Sequence, residues 1–222
     1  MIAAHRHFDY AAAPELFGGR SGAGALEIVW DTNVLIDYFT YGHQLWEDGE
    51  AGLREPKLAE ELAGLQWLIE LWLRRDLRFR ILPRTVTDAR KRLSSDRRQQ
   101  RERALDELAS ALSLDGWEEP HARPEASRLA STALARVPAG GDRELVADAL
   151  SLGAHVYLTR DRRVLSCRDA LFAHGLLLAS PIDLLLELGA VGELDVLVRP
   201  ELARWPAPDL QRMSHLVAAL PG

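Results

Sequence analysis

An α/β fold on a mostly parallel sheet is what this 222-residue sequence predicts, and two observations carry the prediction. Short apolar runs alternate along the chain with helical patterns, the signature of βαβ units. The runs also end on polar residues that lead straight into helices: Leu26-Glu27-Ile28-Val29-Trp30 stops on Asp31, and Ala154-His155-Val156-Tyr157-Leu158 stops on Thr159-Arg160-Asp161. Strands of this kind are buried on both faces, and their carboxyl ends are where open α/β sheets assemble active sites.

Residues 1–25, rich in Ala and Gly and closing on GGRSGAGA, read as an irregular N-terminal arm. A strand at Leu26 to Asp31 follows, then a helical turn or two through Val34, Leu35, Tyr38 and Phe39, ended by Tyr41-Gly42. Residues 42–76 form an inserted or extended helical region. It comprises a polar loop up to Pro56, then a helix whose Leu58, Leu62, Leu65, Leu68, Ile69 and Trp72 recur at three- and four-residue spacing. Trp67 and Trp72 are read with that core stripe. Phe79 to Leu82 is a second strand, and Thr85 to Asp88 leads into a helix with a stripe at Leu105, Leu108, Ala109 and Leu112. Asp115-Gly116-Trp117 reads as an edge strand and Ala126 to Val137 as a helix. After the break at Ala139-Gly140-Gly141 a helix starts at Asp142, with its stripe at Leu145, Val146, Ala149 and Leu150. Strands at Ala154 to Leu158 and Leu176 to Ala179 and a helix at Ile182 to Leu188 complete a domain spanning 26–190. Residues 191–222 read as an appended segment.

Hydrophobic residues make up 47% of the chain and charged ones 27%, which supports a folded domain rather than a disordered chain. Cys167 is the single cysteine, so an intrachain disulfide and a cysteine-based zinc site are both excluded, and a reducing compartment fits. The first residues lack the continuous apolar stretch of a secretion signal. Leu176 to Val191 is too short and too charged to span a bilayer, so a cytoplasmic protein without a membrane partner is expected. The net charge of −6 conceals an asymmetry. From Arg74 to Arg103 there are 12 Arg and Lys against four acids, a local +8, while the remainder has 15 against 29, or −14. Such a segment can track phosphates although the whole chain is acidic; by itself it also fits a solvated helix face.

Asp31, Asp88, Asp142 and Asp161 stand at strand ends or helix starts, and in a doubly wound sheet such positions converge on one edge. Each alone suits a helix N-cap. Together they would repel one another unless a cation intervened, and Mg2+ or Mn2+ suits carboxylate and water oxygens in an open site. A bound divalent ion lowers the pKa of water and screens a phosphodiester, which gives hydrolysis without a Ser, Cys or His nucleophile. Asp148, six residues beyond Asp142, points about 120° away around the helix. Asp37 reads as an exposed helix residue near the rim. His5, His7 and His155 fall in no metal-ligand spacing.

The strings VWDTNVLIDYF around Asp31, GDRELVADALSLGA around Asp142 and HVYLTRDRRVL around Asp161 resemble the PIN-domain nucleases, which include the VapC-type toxins. The resemblance extends loosely from Leu26 to Gly189. It implies a three-layer α/β/α sandwich and Mg2+- or Mn2+-dependent endonucleolytic cleavage of RNA. Asp31, Asp142 and Asp161 match the family's acids. The fourth, commonly a glutamate early in a helix, is matched by Asp88, with Asp96 as the alternative. Asn33, Thr159 and Thr32 match its supporting positions, where they would orient carboxylates; as strand-end residues they equally suit turns. Arg84, Arg92, Arg160, Arg162 and Arg163 border the expected site and suit a phosphate backbone. The resemblance admits a toxin–antitoxin role, an antitoxin or other protein partner, and a homodimer. A catalytically weak PIN-like module that binds RNA or a protein is the competing expectation. A haloacid-dehalogenase-like phosphatase would want a second Asp where Asn33 stands.

Overall fold

The apolar runs become the strands of one parallel sheet, because no residue within them offers a face to water: all five residues of Leu26–Trp30 are buried. The computed structural model describes residues 7–46, 55–93, 98–113, 123, 125–198, 214, 216, 218 and 219. In chain order the first elements are β1 (Phe8–Asp9), α1 (Pro14–Phe17), β2 (Ala23–Gly24), β3 (Leu26–Trp30), α2 (Thr32–Trp46) and α3 (Pro56–Trp72). They are followed by β4 (Leu77–Arg80), α4 (Pro83–Arg92), α5 (Arg98–Leu112), α6 (Ala126–Leu129), α7 (Ser131–Leu134) and α8 (Gly141–Ser151). The last are β5 (Val156–Leu158), α9 (Arg162–Leu165), α10 (Arg168–Phe172), β6 (Leu177–Ala179), α11 (Pro181–Ala190) and α12 (Asp195–Val198).

The four long-range strands lie in the order β4-β3-β5-β6, all parallel. Helices cover both faces, so the fold is the expected three-layer α/β/α sandwich. Because successive strand residues point to opposite faces, Leu26, Ile28 and Trp30 enter one core layer with α2, α3, α5 and α11, joined by Leu216 and Ala219. Val29 enters the other, with Leu145, Val146 and Ala149 of α8 and with Tyr157 and Leu178. From β3 the chain moves outward to β4 and then returns to the opposite side at β5. The boundary between β3 and β5 is therefore the switch point at which such sheets open a crevice. Among the described residues no helix is long and apolar enough to cross a membrane.

Several elements differ from expectation. Residues 7–25 are not an irregular arm: β1 and β2 pair antiparallel, and Phe8, Tyr10 and Phe17 are buried. Tyr10 and Phe17 pack on His155 at ring separations of 5.0 and 4.9 Å. Arg20 fastens the segment by donating to the carbonyls of Gly153, Ala154 and Gly175 at 2.8–2.9 Å. Helix α2 runs through Gly42 to Trp46, since Gly42 is buried and packing outweighs a glycine's helix cost of about 1 kcal/mol. Trp72 is buried, but Trp67 is 50% exposed; at 100° per residue it lies almost opposite Leu65 on α3. The stretch from Ala126 to Val137 is broken at Ala130 into α6 and α7. The edge strand expected at 115–117, the alternative acid Asp96, and most of 191–222 beyond α12 lie outside the described residues.

Candidate acidic site at the sheet edge

The β3–β5 ladder continues one step past the strands, with the Asp31 amide donating to the Leu158 carbonyl at 2.9 Å. That bond sets the Asp31 and Thr159 side chains together on the α8 face of the sheet. Thr159 Oγ1 donates to Asp31 Oδ2 at 2.5 Å, Asn33 Nδ2 to the same oxygen at 2.5 Å, and the Thr32 amide to Oδ1 at 2.6 Å. Asn33 also accepts from the Arg160 amide at 3.1 Å and so staples the two strand ends. Asp31 is 3% exposed, and its bonds do not reach the second or third amide of α2, so it is not acting as an ordinary cap. The Thr32 hydroxyl is buried without a partner among the described residues; only its amide supports Asp31.

The other three acids arrive from three separate elements. Asp161 is the N-cap of α9 and accepts from the Arg163 and Val164 amides. Asp142 lies within the first turn of α8, after the N-cap Gly140, whose φ of 103° suits glycine. Asp88 lies in the second turn of α4, not at its start, because Pro83 begins the helix one turn earlier. The Thr85 hydroxyl ties α4 to the Trp30 carbonyl at 3.2 Å, and a methyl group at Gly141 would stand 3.5 Å from Asp88 Oδ2. The four acids thus gather at one end of the sheet. Burial first, and then the charge of Asp142, hold the Asp31 carboxyl above the ordinary carboxylate range despite its hydrogen bonds. Burial and then Asp161, with Asp88 adding, raise that of Asp142 against the pull of Arg92 and Arg163.

The arginines sort into two groups. Arg84 is ion-paired with Glu144 and Arg160 with Asp37, so neither is a spare cation, and Asp37 is a rim residue with a partner rather than a solvated one. Arg92 and Arg163 make no ion pair among the described residues and act on Asp142, Arg92 also on Asp37. Arg162 is exposed at the start of α9. Lys91 pairs with Asp88 at 2.5 Å. Asp148 acts with Arg84 and Glu144, away from the cluster. Tyr157 is the site residue that the sequence reading missed. Two positions before Thr159 on a strand, it shares Thr159's face, and that period was the available signal.

Asp31 has no cationic partner among the described residues. Its contrast is Glu27, on the same strand face four residues earlier and 5% exposed, which accepts from Arg80 Nε at 2.7 Å and has Arg78 at 3.6 Å. A buried carboxylate ordinarily has such a partner or a metal. The donors at the acidic end are all oxygen, as Mg2+ or Mn2+ prefers. No three His, Cys, Asp or Glu side chains among the described residues form a ready ligand set; Mg2+ commonly needs one or two carboxylates, with water completing its shell.

A proton-linked consequence follows. Because folded Asp31 holds its proton more tightly than the unfolded chain does, its contribution to stability is complete below the unfolded pKa of about 3.9 and is lost as pH rises through the raised folded value. In EDTA, Asp31→Asn should therefore gain stability relative to the wild type as pH increases from about 4. Thermal unfolding of both proteins across pH checks this, and a pH-independent gap would contradict the buried, raised carboxyl. No family model matches the chain, and no curated protein or solved structure compared with it matches either.

Proposed function

We propose that the chain is a PIN-like ribonuclease that hydrolyses RNA phosphodiester bonds with Mg2+ or Mn2+. The observation that carries this reading is the buried Asp31 carboxylate, bordered by neutral donors and by the charge of Asp142, at the switch point of a parallel sheet. Asp31, Asp142 and Asp161, with Asp88, would hold the ion. When bound, it supplies an activated water and screens the scissile phosphate. Asn33 and Thr159 keep the Asp31 oxygens in one orientation through their bonds across the strand ends. Arg92 and Arg163, cationic and beside the acids, would hold the flanking phosphates of a strand laid across the sheet edge.

The test is cleavage of a mixed-sequence RNA by the full chain with Mn2+ or Mg2+ and with EDTA. Cleavage with either metal that stops in EDTA is expected. RNA left intact with both metals counts against the reading. A second reading is favoured by one contact: Lys91 neutralises Asp88, which suits a module that binds RNA without cutting it. Calorimetric titration with Mn2+ separates the two, since the non-cleaving module binds no ion at millimolar concentration.

A further inference from the structure

We infer that Asp37 is a positioning residue of the acidic site: by gripping Arg160 it fixes the turn that carries Thr159 and Asp161 against α2. This deepens the ion site proposed above and rests on it. The turn from β5 into α9 supplies that site from both sides of Arg160, with the Thr159 hydroxyl on Asp31 and with the Asp161 carboxylate. Helix α2 holds Arg160 at two points. Its amide donates to Asn33 Oδ1 at 3.1 Å, and its guanidinium Nε donates to Asp37 Oδ2 at 2.5 Å. Asn33 and Asp37 lie four residues apart on one face of the helix, about 6 Å along its axis. A single hydrogen bond is a pivot, whereas two spaced in this way set the direction of the segment they hold. The first turn of α2 thus meets the chain at Asn33, which also donates to Thr159 at 3.2 Å, and the second turn meets it at Asp37.

Stability alone does not explain the pair. The Asp37 side chain is 13% exposed and that of Arg160 28%. Burial pushes the Asp37 carboxyl above its ordinary range, and Arg160 is foremost among the charges that oppose this. Desolvation of two charges offsets most of their attraction, so apolar residues in such places often hold a fold equally well. What an apolar pair lacks is direction, since an N–H and a carboxylate oxygen meet along a preferred line. Direction matters at this turn because it places Asp161 relative to Asp31, and an ion of the Mg2+ kind accepts little departure from its preferred geometry.

Asp37→Ala and Arg160→Ala remove the same grip from opposite sides, and both leave the main-chain bond to Asn33 in place. Calorimetric titration of the full chain with Mn2+ at neutral pH should show each binding about 10-fold more weakly, the lower end of what orienting groups contribute. The double variant should bind no more weakly than either single one, because the grip is lost only once. With RNA at subsaturating Mn2+, kcat should fall while KM is unchanged. Either single variant that folds, as its metal-free unfolding temperature shows, carries the test. Wild-type Mn2+ affinity in a folded single variant would overturn the inference and leave the ion site standing. Losses that add in the double variant, or a raised KM with unchanged kcat, would also overturn it and make Arg160 a direct contact to RNA. Absence of Mn2+ binding by the wild type would remove the ion site itself and the inference with it.

Discussion

Asp31→Asn is expected to lower metal-dependent RNA cleavage by at least about 100-fold, since even groups that only orient a ligand contribute 10- to 100-fold, and to leave thermal stability near that of the wild type. Asparagine keeps the volume and one acceptor for the Thr32 amide. It loses the acceptor that Asn33 and Thr159 share, but it also removes a buried charge that burial and Asp142 disfavour. These changes oppose each other in the fold and reinforce each other in the site, where an amide is a far weaker partner for a divalent ion. Single-turnover cleavage and scanning calorimetry on the same preparation check both halves. Wild-type cleavage by a normally folded Asp31→Asn protein would sink the mechanism.

Glu27→Ala should do the reverse. Glu27 and Asp31 lie on one face of one strand, but Glu27 sits between Arg78 and Arg80. Removing it takes away the carboxylate that the buried Arg80 Nε meets at 2.7 Å. Breaking a buried pair from one side costs about 3–5 kcal/mol, roughly a 6–20 °C fall in unfolding temperature for a chain of this size. Below that temperature the rate of cleavage should be unaltered, because the amino end of β3 is remote from Thr159 and the acids. A loss under about 1 kcal/mol would mean that Arg80 finds other solvation.

The two carboxylates also show what was legible in the sequence. Strands β3, β5 and β6 could be read because short apolar runs bounded by polar residues have few other uses in a chain of this size. Asp31, Asp142 and Asp161 followed from them, as each lies at or near a strand end or helix start. Asp88 was found by residue type but placed a turn too early in its helix, because the start signal is Pro83 and not the acid. The ordering of residues 7–25 was illegible: two-residue strands have no periodicity, and Arg20's partners lie 133 to 155 positions away. Charge patterning placed Arg84, Arg92, Arg160 and Arg163 near the site but could not tell paired from spare. That division depends on Glu144 and Asp37, which approach only in three dimensions.

The hydrogen bond between Thr159 and Asp31 spans 128 positions of the chain. During synthesis from the amino end, β3 emerges with its aspartate long before the strand that completes its surroundings. Parallel pairings of such separation form late because the loop between them must close first. A nascent chain therefore carries a lone, hydrated Asp31, and the acidic end comes into being only when β5 docks beside β3. The order of the polypeptide thus delays any activity of this edge until the ribosome has released most of the molecule.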